Sequence, residues 1–288
     1  MMLIHPLEYS AATHPGLKRE NNEDCFLSAP DADVWLVADG MGGHEAGEVA
    51  SAIVRDTFEK YTLQSRPFNL QDVIQKSHEE ILSSAEQGIG AVGMGSTVVA
   101  LLSQKKHYQV AWVGDSRAYL WTPDEYGGKL TRITTDHSYV QMLYTSGAIT
   151  ADEVESHPDK NIITQCLGMQ ELGHVKVDVA QGQWQKNQWI LLCSDGLTDE
   201  LADSSIAQIL EHSPNSLTAV DQLLHEALTS GGNDNITVQI IESPIVSESF
   251  SSRFWNWIPA ITSNRTFDAV IFFTAIIALL GLLINTLK

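Results

Sequence analysis

Four aspartates stand where buried-strand runs meet turns. Asp39 follows the run of residues 34–38 and precedes Gly40, and Asp115 follows a run ending at Val113-Gly114. Asp195 follows Trp189 to Ser194 and precedes Gly196, and Asp234 sits just before the run of residues 236–241. Glu23 and Asp24 add two adjacent carboxylates early in the chain. Any one of these fits turn chemistry, because Asp bonds its own backbone and Gly accepts positive φ. Gathered on one edge, they would crowd each other, and crowded carboxylates take up protons or bind cations. The chain holds 17 Lys+Arg against 36 Asp+Glu, and few of the basic residues lie near these positions, so divalent metal is the simplest counter-charge. The donors are all oxygens, with no paired His or Cys at zinc spacing, which suits magnesium or manganese. A bridging carboxylate can hold two such ions about 3.5–4 Å apart and acidify a water for in-line attack on a phosphate ester. Arg19, four residues before Glu23, has the planar fork that matches phosphate; a solvated surface arginine beside Lys18 is the other reading.

These residues need elements to bring them together. Short apolar runs at Val34 to Ala38, Thr97 to Leu102, Tyr108 to Val113, Trp189 to Cys193 and Ile236 to Ile241 predict buried strands. Val113 and Ala118 flank a short Gly-Asp-Ser turn, which predicts an antiparallel hairpin there. Ala46, Val49, Ala50, Ile53, Val54 and Phe58 recur at helical spacing and make one apolar face. Similar stripes run over Leu70 to Ala85 and Leu217 to Leu228, and Thr150-Ala-Asp-Glu153 fits a capping box opening another helix. Helices mixed with antiparallel strands predict an α+β chain, its sheets covered by helices.

Composition limits the partners. The formal net charge of -19 repels phosphate backbones, so nucleic acid is not an expected partner. Cys25, Cys166 and Cys193 form no C-x-x-C pair, and residues 1–16 show no signal-peptide pattern, which fits reduced thiols in the cytosol. Residues 1–241 read as one domain and 242–267, Ser-rich with Pro244 and Pro259, as a linker. The uncharged run Ala269 to Ile284, within residues 268–288, is apolar all round. Extended to Leu287, it would span about 28 Å as a helix, close to the hydrocarbon thickness of a bilayer. We therefore expect a single C-terminal transmembrane helix, with Trp255 and Trp257 as interfacial anchors and the N-terminal domain facing the cytoplasm.

Five motifs occur in order: Gly16-Leu-Lys-Arg-Glu-Asn-Asn-Glu-Asp24, Val37-Ala-Asp-Gly-Met-Gly-Gly43, Val113-Gly-Asp-Ser-Arg117, Cys193-Ser-Asp-Gly196 and Asp234-Asn235. Together they resemble the protein phosphatase 2C family of metal-dependent phosphatases, especially its compact bacterial members, from about Thr13 to Ile241. The resemblance implies a four-layer sandwich of two central antiparallel β-sheets flanked by helices. It implies hydrolysis of phosphoserine and phosphothreonine by water bridging two manganese or magnesium ions. Asp39 would bridge the ions and the Gly40 carbonyl would join one of them, with Asp195 and Asp234 on the other. Glu23 and Asp24 would orient metal-bound waters or bind directly, and Asp115 with Asp195 would serve a weaker third ion. Arg19 would hold the substrate phosphate, with Ser194 and Asn235 in support. The implied partners are phosphorylated proteins, a membrane-bound Ser/Thr kinase among them, met by a monomeric catalytic domain in a signalling role. The chain departs from some relatives: Met41 stands where they carry a His acid, and Gln165 where relatives often carry Arg. Asp136-His-Ser138 and the helix after it resemble the family's flap, with His137 in a structural role.

Other chemistries fit less well. A cysteine phosphatase needs an Arg six positions after its thiolate, where this chain has Asp31, Leu172 and Asp199. Gly-x-Ser-x-Gly is absent. A binding module without catalysis would have no need to crowd five acidic groups.

Overall fold

The computed structural model describes residues 7–42, 46–64, 68–125 and 127–245. Its strands are β1 (Tyr9–His14), β2 (Asp24–Ala29), β3 (Val34–Met41), β4 (Gly95–Ser96), β5 (Val98–Gln104), β6 (His107–Val113), β7 (Arg117–Thr122), β8 (Lys129–Arg132), β9 (Asp178–Gln183), β10 (Trp189–Cys193) and β11 (Ile236–Glu242). The helices are α1 (Ala46–Gln64), α2 (Leu70–Glu86), α3 (Tyr139–Thr145), α4 (Ala151–Ser156), α5 (Asp195–Thr198), α6 (Asp203–His212) and α7 (Ser216–Ser230). Two antiparallel sheets result: one ordered β1-β11-β10-β7-β8, the other β2-β3-β5-β6-β9 with β4 against β3.

The apolar runs are continuous because these strands are covered on both faces. On β3, Val34, Leu36 and Ala38 join a core with Val54 and Phe58 of α1 and Ile74 of α2, while Trp35 and Val37 face the other way. Trp35, Val37, Val99, Leu101 and Trp112 meet Ala118, Ile190 and Leu192 in the core between the sheets. Leu191, Cys193 and Val238 then pack under Leu210 of α6 and Leu223 of α7. The order is helices, sheet, sheet, helices. Gln239, wholly buried on β11, bonds across the gap. Its amide donates to the carbonyls of Leu27 and Leu36, and its carbonyl accepts from Ser28 Oγ at 2.8 Å.

The predicted strands are present, and α4 opens on the predicted capping box, with the Thr150 N–H donating to Glu153 Oε2 at 2.7 Å. The predicted hairpin across Gly114-Asp115-Ser116 does not form. β6 pairs with β5 and β9, whereas β7 pairs with β10 and β8 in the other sheet. Each strand is apolar on both faces, so each is buried within its own sheet, and the turn carries the chain across the gap. Gly114 makes the crossing at φ 107°, a conformation that L side chains rarely adopt.

β11 runs to Glu242 and Ile245 is buried. The expected transmembrane run and most of the linker lie outside the described residues. Among the described residues no helix is long and apolar enough to cross a membrane.

Candidate active site

Strand register brings the acids to one edge. β2 runs antiparallel to β3 with Asp24 opposite Asp39. β5 reverses the direction again, so β6 ends at the same edge and its following turn presents Asp115. In the other sheet Cys193, at the end of β10, lies opposite Val238 of β11, which places Asp195 and Asp234 on adjoining turns. Close packing holds these turns together. A Cβ on Gly40 would collide with the Gly47 carbonyl, and one on Gly196 with the Asn235 carbonyl.

The hydrogen bonds show how the site is braced. Ser194 Oγ donates to Asp24 Oδ2 at 2.8 Å. The Asp39 N–H donates to Thr97 Oγ1 at 3.1 Å, and that hydroxyl is 2.7 Å from Ser116 Oγ, so Thr97 links the Asp39 and Asp115 turns. Asn235 staples the Arg19 loop: its Oδ1 accepts from the Glu23 N–H at 2.7 Å, and its Nδ2 donates to the Pro15 and Asn21 carbonyls, both at 2.9 Å. Arg19 Nη2 reaches Asp234 Oδ2 at 2.7 Å, with its side chain 55% exposed. That guanidinium is anchored at the edge of the acidic cluster and remains open to a ligand.

Electrostatically the cluster is under load. Burial, offset in part by bonds from Thr237 and Ser194 and reinforced by the charges of Asp195 and Asp234, pushes Asp24 up to about 7. Burial, then Asp199 and Asp234, pushes Asp195 up to about 6. Asp39 lies well above the usual carboxylate range, through burial and the charges of Asp24, Asp195 and Asp115. Asp115 does likewise, through burial, Asp195 and Asp136. Burial also raises Glu23. All seven metal-site candidates except Gly40 are thus acids that feel one another or line the same turns.

The residues fit hard divalent cations. Asp24 Oδ1 and Asp115 Oδ1 are buried without a hydrogen-bond partner, an expensive state for an ionised oxygen that nothing coordinates. Arg117 bonds neither oxygen: its charge eases Asp115, but its guanidinium is committed to Asp136 at 2.8 Å. Among the described residues no three His, Cys, Asp or Glu side chains form a ready-made cage. Hard cations such as magnesium need only one or two carboxylates, with waters filling the other positions, so an open cluster suffices.

Other residues singled out from the sequence are also placed. His137 is structural: its Nδ1 accepts from the Gly114 N–H at 3.1 Å and from the Gln165 amide at 3.0 Å. Gln165 itself bonds both backbone groups of Lys176. Met41 ends β3 opposite Gly95. Sequence reasoning missed Thr97, whose only signal is its place at the start of an apolar run, and it missed the pairing of Arg117 with Asp136.

The geometry has close counterparts. The family model for protein phosphatase 2C matches residues 17–230. The serine/threonine phosphatase stp of Listeria innocua is 34% identical over 247 residues, covering 82% of this chain and 96% of that protein. A crystal structure of the Mycobacterium tuberculosis serine/threonine phosphatase PstP superposes with a TM-score of 0.74 at 33% identity, covering 84% of this chain and 99% of that one. The PstP catalytic domain in complex with two manganese ions gives a TM-score of 0.72 at 31% identity, covering 86% of this chain and all of that one, 100%.

Proposed function

Since this chain belongs to the protein phosphatase 2C family and is a serine/threonine protein phosphatase of that type, we propose that it hydrolyses phosphoserine and phosphothreonine at the Asp39–Asp195 edge with two divalent cations. The observation that carries this reading is the convergence of buried acids, two of them with unpartnered oxygens. The manganese-bound relative supports it. Asp39 would touch both ions, with the Gly40 carbonyl on one and Asp195 and Asp234 on the other. Glu23 and Asp24 would hold bound waters or coordinate directly, and Asp115 with Asp195 would take a weaker third ion. Such ions supply a water acidified for in-line attack on phosphorus.

The chain's own residues do the rest. Arg19 takes the substrate phosphate and orients it, held at the right edge by Asp234 on one side and by the Asn235 staple of its loop. Ser194 holds Asp24 in place from below, and Thr97 keeps the Asp39 and Asp115 turns in register. The purified chain should release phosphate from a phosphothreonine peptide when given manganese or magnesium and stop with chelator. Peptide binding without phosphate release would instead favour a docking module.

We extend the reading to location. The apolar run of residues 269–284 supports a single-pass anchor with the catalytic unit on the cytoplasmic side. Membrane-proximal phosphoproteins, including a membrane-bound Ser/Thr kinase, are then the expected substrates. Recovery of the full chain in the soluble fraction after cell lysis would contradict the anchor.

A further inference from the structure

The buried face of α2 consists of Leu70, Val73, Ile74, Ser77, His78 and Ile81, and among these only His78 can titrate. It is 0% exposed, yet both ring nitrogens are bonded, each to the backbone of one turn. Nδ1 accepts from the Gly168 N–H at 3.0 Å, and Nε2 lies 2.8 Å from the Leu172 carbonyl. An N–H can only donate and a carbonyl only accept, so Nδ1 is bare and Nε2 carries the proton. The ring is therefore neutral. Burial favours that form by lowering the pKa of the ring, opposed by the Leu172 carbonyl and Glu79 and aided by His174. The Leu172 N–H closes the turn on the Met169 carbonyl at 3.1 Å. From this turn to the acidic edge is two steps. Leu167, next to Gly168, donates its N–H to Ser96 O at 2.8 Å and accepts from the Ser96 N–H at 3.1 Å. Ser96 of β4 lies opposite Gly40 of β3, and its Oγ donates to the Asp39 carbonyl at 3.1 Å. The packing along this path is close. A Cβ on Gly168, at φ 84°, would collide with Ile81 and the Met94 carbonyl, and one on Gly95 with the Leu167 carbonyl.

We propose that His78 is a positioning residue for the metal site: by gripping Gly168 and Leu172 it holds Leu167 against Ser96, and Ser96 in turn fixes the corner of β3 that offers the Asp39 carboxylate and the Gly40 carbonyl to the cations. This rests on the phosphatase reading above. An apolar side chain would fill the same face of α2, but it would leave the Gly168 N–H and the Leu172 carbonyl unpaired and the turn without its brace. His78 touches neither cation nor substrate, so its effect falls on cation affinity through the backbone.

The test is manganese titration of the chelated full chain by calorimetry, with amide hydrogen exchange on the same chain before metal is added. His78→Phe keeps a ring and removes both bonds. It should weaken one of the two manganese equivalents about three- to tenfold, the low end of what groups supporting metal ligands contribute. It should also speed exchange of the Leu167 and Ser96 amides more than that of Leu101 in the same sheet. His78→Asn, whose carbonyl can take the Gly168 N–H, should bring the affinity most of the way back. His78→Gln keeps a donor for Leu172 but loses the Nδ1 acceptor, so it should show the same loss to a smaller degree; it carries the test should His78→Phe not fold. Ile74→Ala, which opens a cavity on the same helix face, should lower the melting temperature with both affinities at wild type. Wild-type affinities in folded His78→Phe, or failing that in His78→Gln, would overturn the proposal. So would a loss that Ile74→Ala matches or that His78→Asn does not relieve. A wild-type chain that binds no manganese defeats the phosphatase reading and this inference with it; two bound equivalents with the His78 variants unmoved defeat the inference alone.

Discussion

At the residue scale, the site combines acids that burial and mutual charge hold above their usual range with a guanidinium open to a ligand. Asp39 and Asp195 are central, each influencing the other. Asp39→Ala and Asp195→Ala should each lower kcat to background in a phosphate-release assay, since each would leave the proposed cation pair without a principal ligand. Arg19→Ala should act differently. It removes a charge-assisted contact worth about 1.5–3 kcal/mol, so kcat/KM should drop by about 10- to 100-fold, mostly as a higher KM. A fall in kcat with KM unchanged would remove Arg19 from phosphate binding. Asp39, Asp115, Asp195 and Asp234 were legible in the sequence because each interrupts an apolar run at a strand end. Thr97 was not, because a Thr beginning a strand looks the same whether its hydroxyl faces solvent or bridges two turns.

At the element scale, the sandwich depends on strands buried on both faces and on a few polar side chains that cross between sheets. Gln239 is one, bonded to Ser28 and to the Leu27 and Leu36 carbonyls. Gln239→Ala would leave buried backbone carbonyls without that donor, so it should lower unfolding stability by about 1–3 kcal/mol, read by urea denaturation, with kcat little changed in the folded fraction. Wild-type stability in that variant would show the bonds to be dispensable. Strand positions were readable from apolar runs, but sheet membership was not. The strands ending at Val113 and beginning at Arg117 look like a hairpin because only three residues, Gly114 to Ser116, part them, yet their apolar faces send them to different sheets. The ties of residues 136–177 were equally hidden. Arg117 with Asp136 and Lys160 with Asp199 are far apart in sequence, and a lone charge carries no sign of its partner.

At the scale of the whole molecule, the acidic edge links stability to pH and metal. Asp24 and Asp195 titrate at about 7 and about 6 in the folded chain, above the unfolded value of roughly 3.9. The folded state therefore holds their protons more tightly, and the stability this contributes is complete below about pH 4 and lost as pH rises to about 7. The chelated chain should melt at a lower temperature at about pH 8 than at about pH 5, by several degrees. Manganese should raise the melting temperature more at the higher pH, because it replaces the protons as counter-charge. A metal effect equal at both pH values would separate the cations from these carboxylates.

The central claim is that the carboxylates form one site for two cations that performs the hydrolysis. Manganese titration of the chelated chain by calorimetry, run beside phosphate-release assays on wild type and Asp39→Asn, tests it most directly. The account predicts about two equivalents in the wild type, with both the second equivalent and turnover lost in Asp39→Asn. Turnover that survives in Asp39→Asn, or a wild type that is fully active with no more than one equivalent bound, would contradict it.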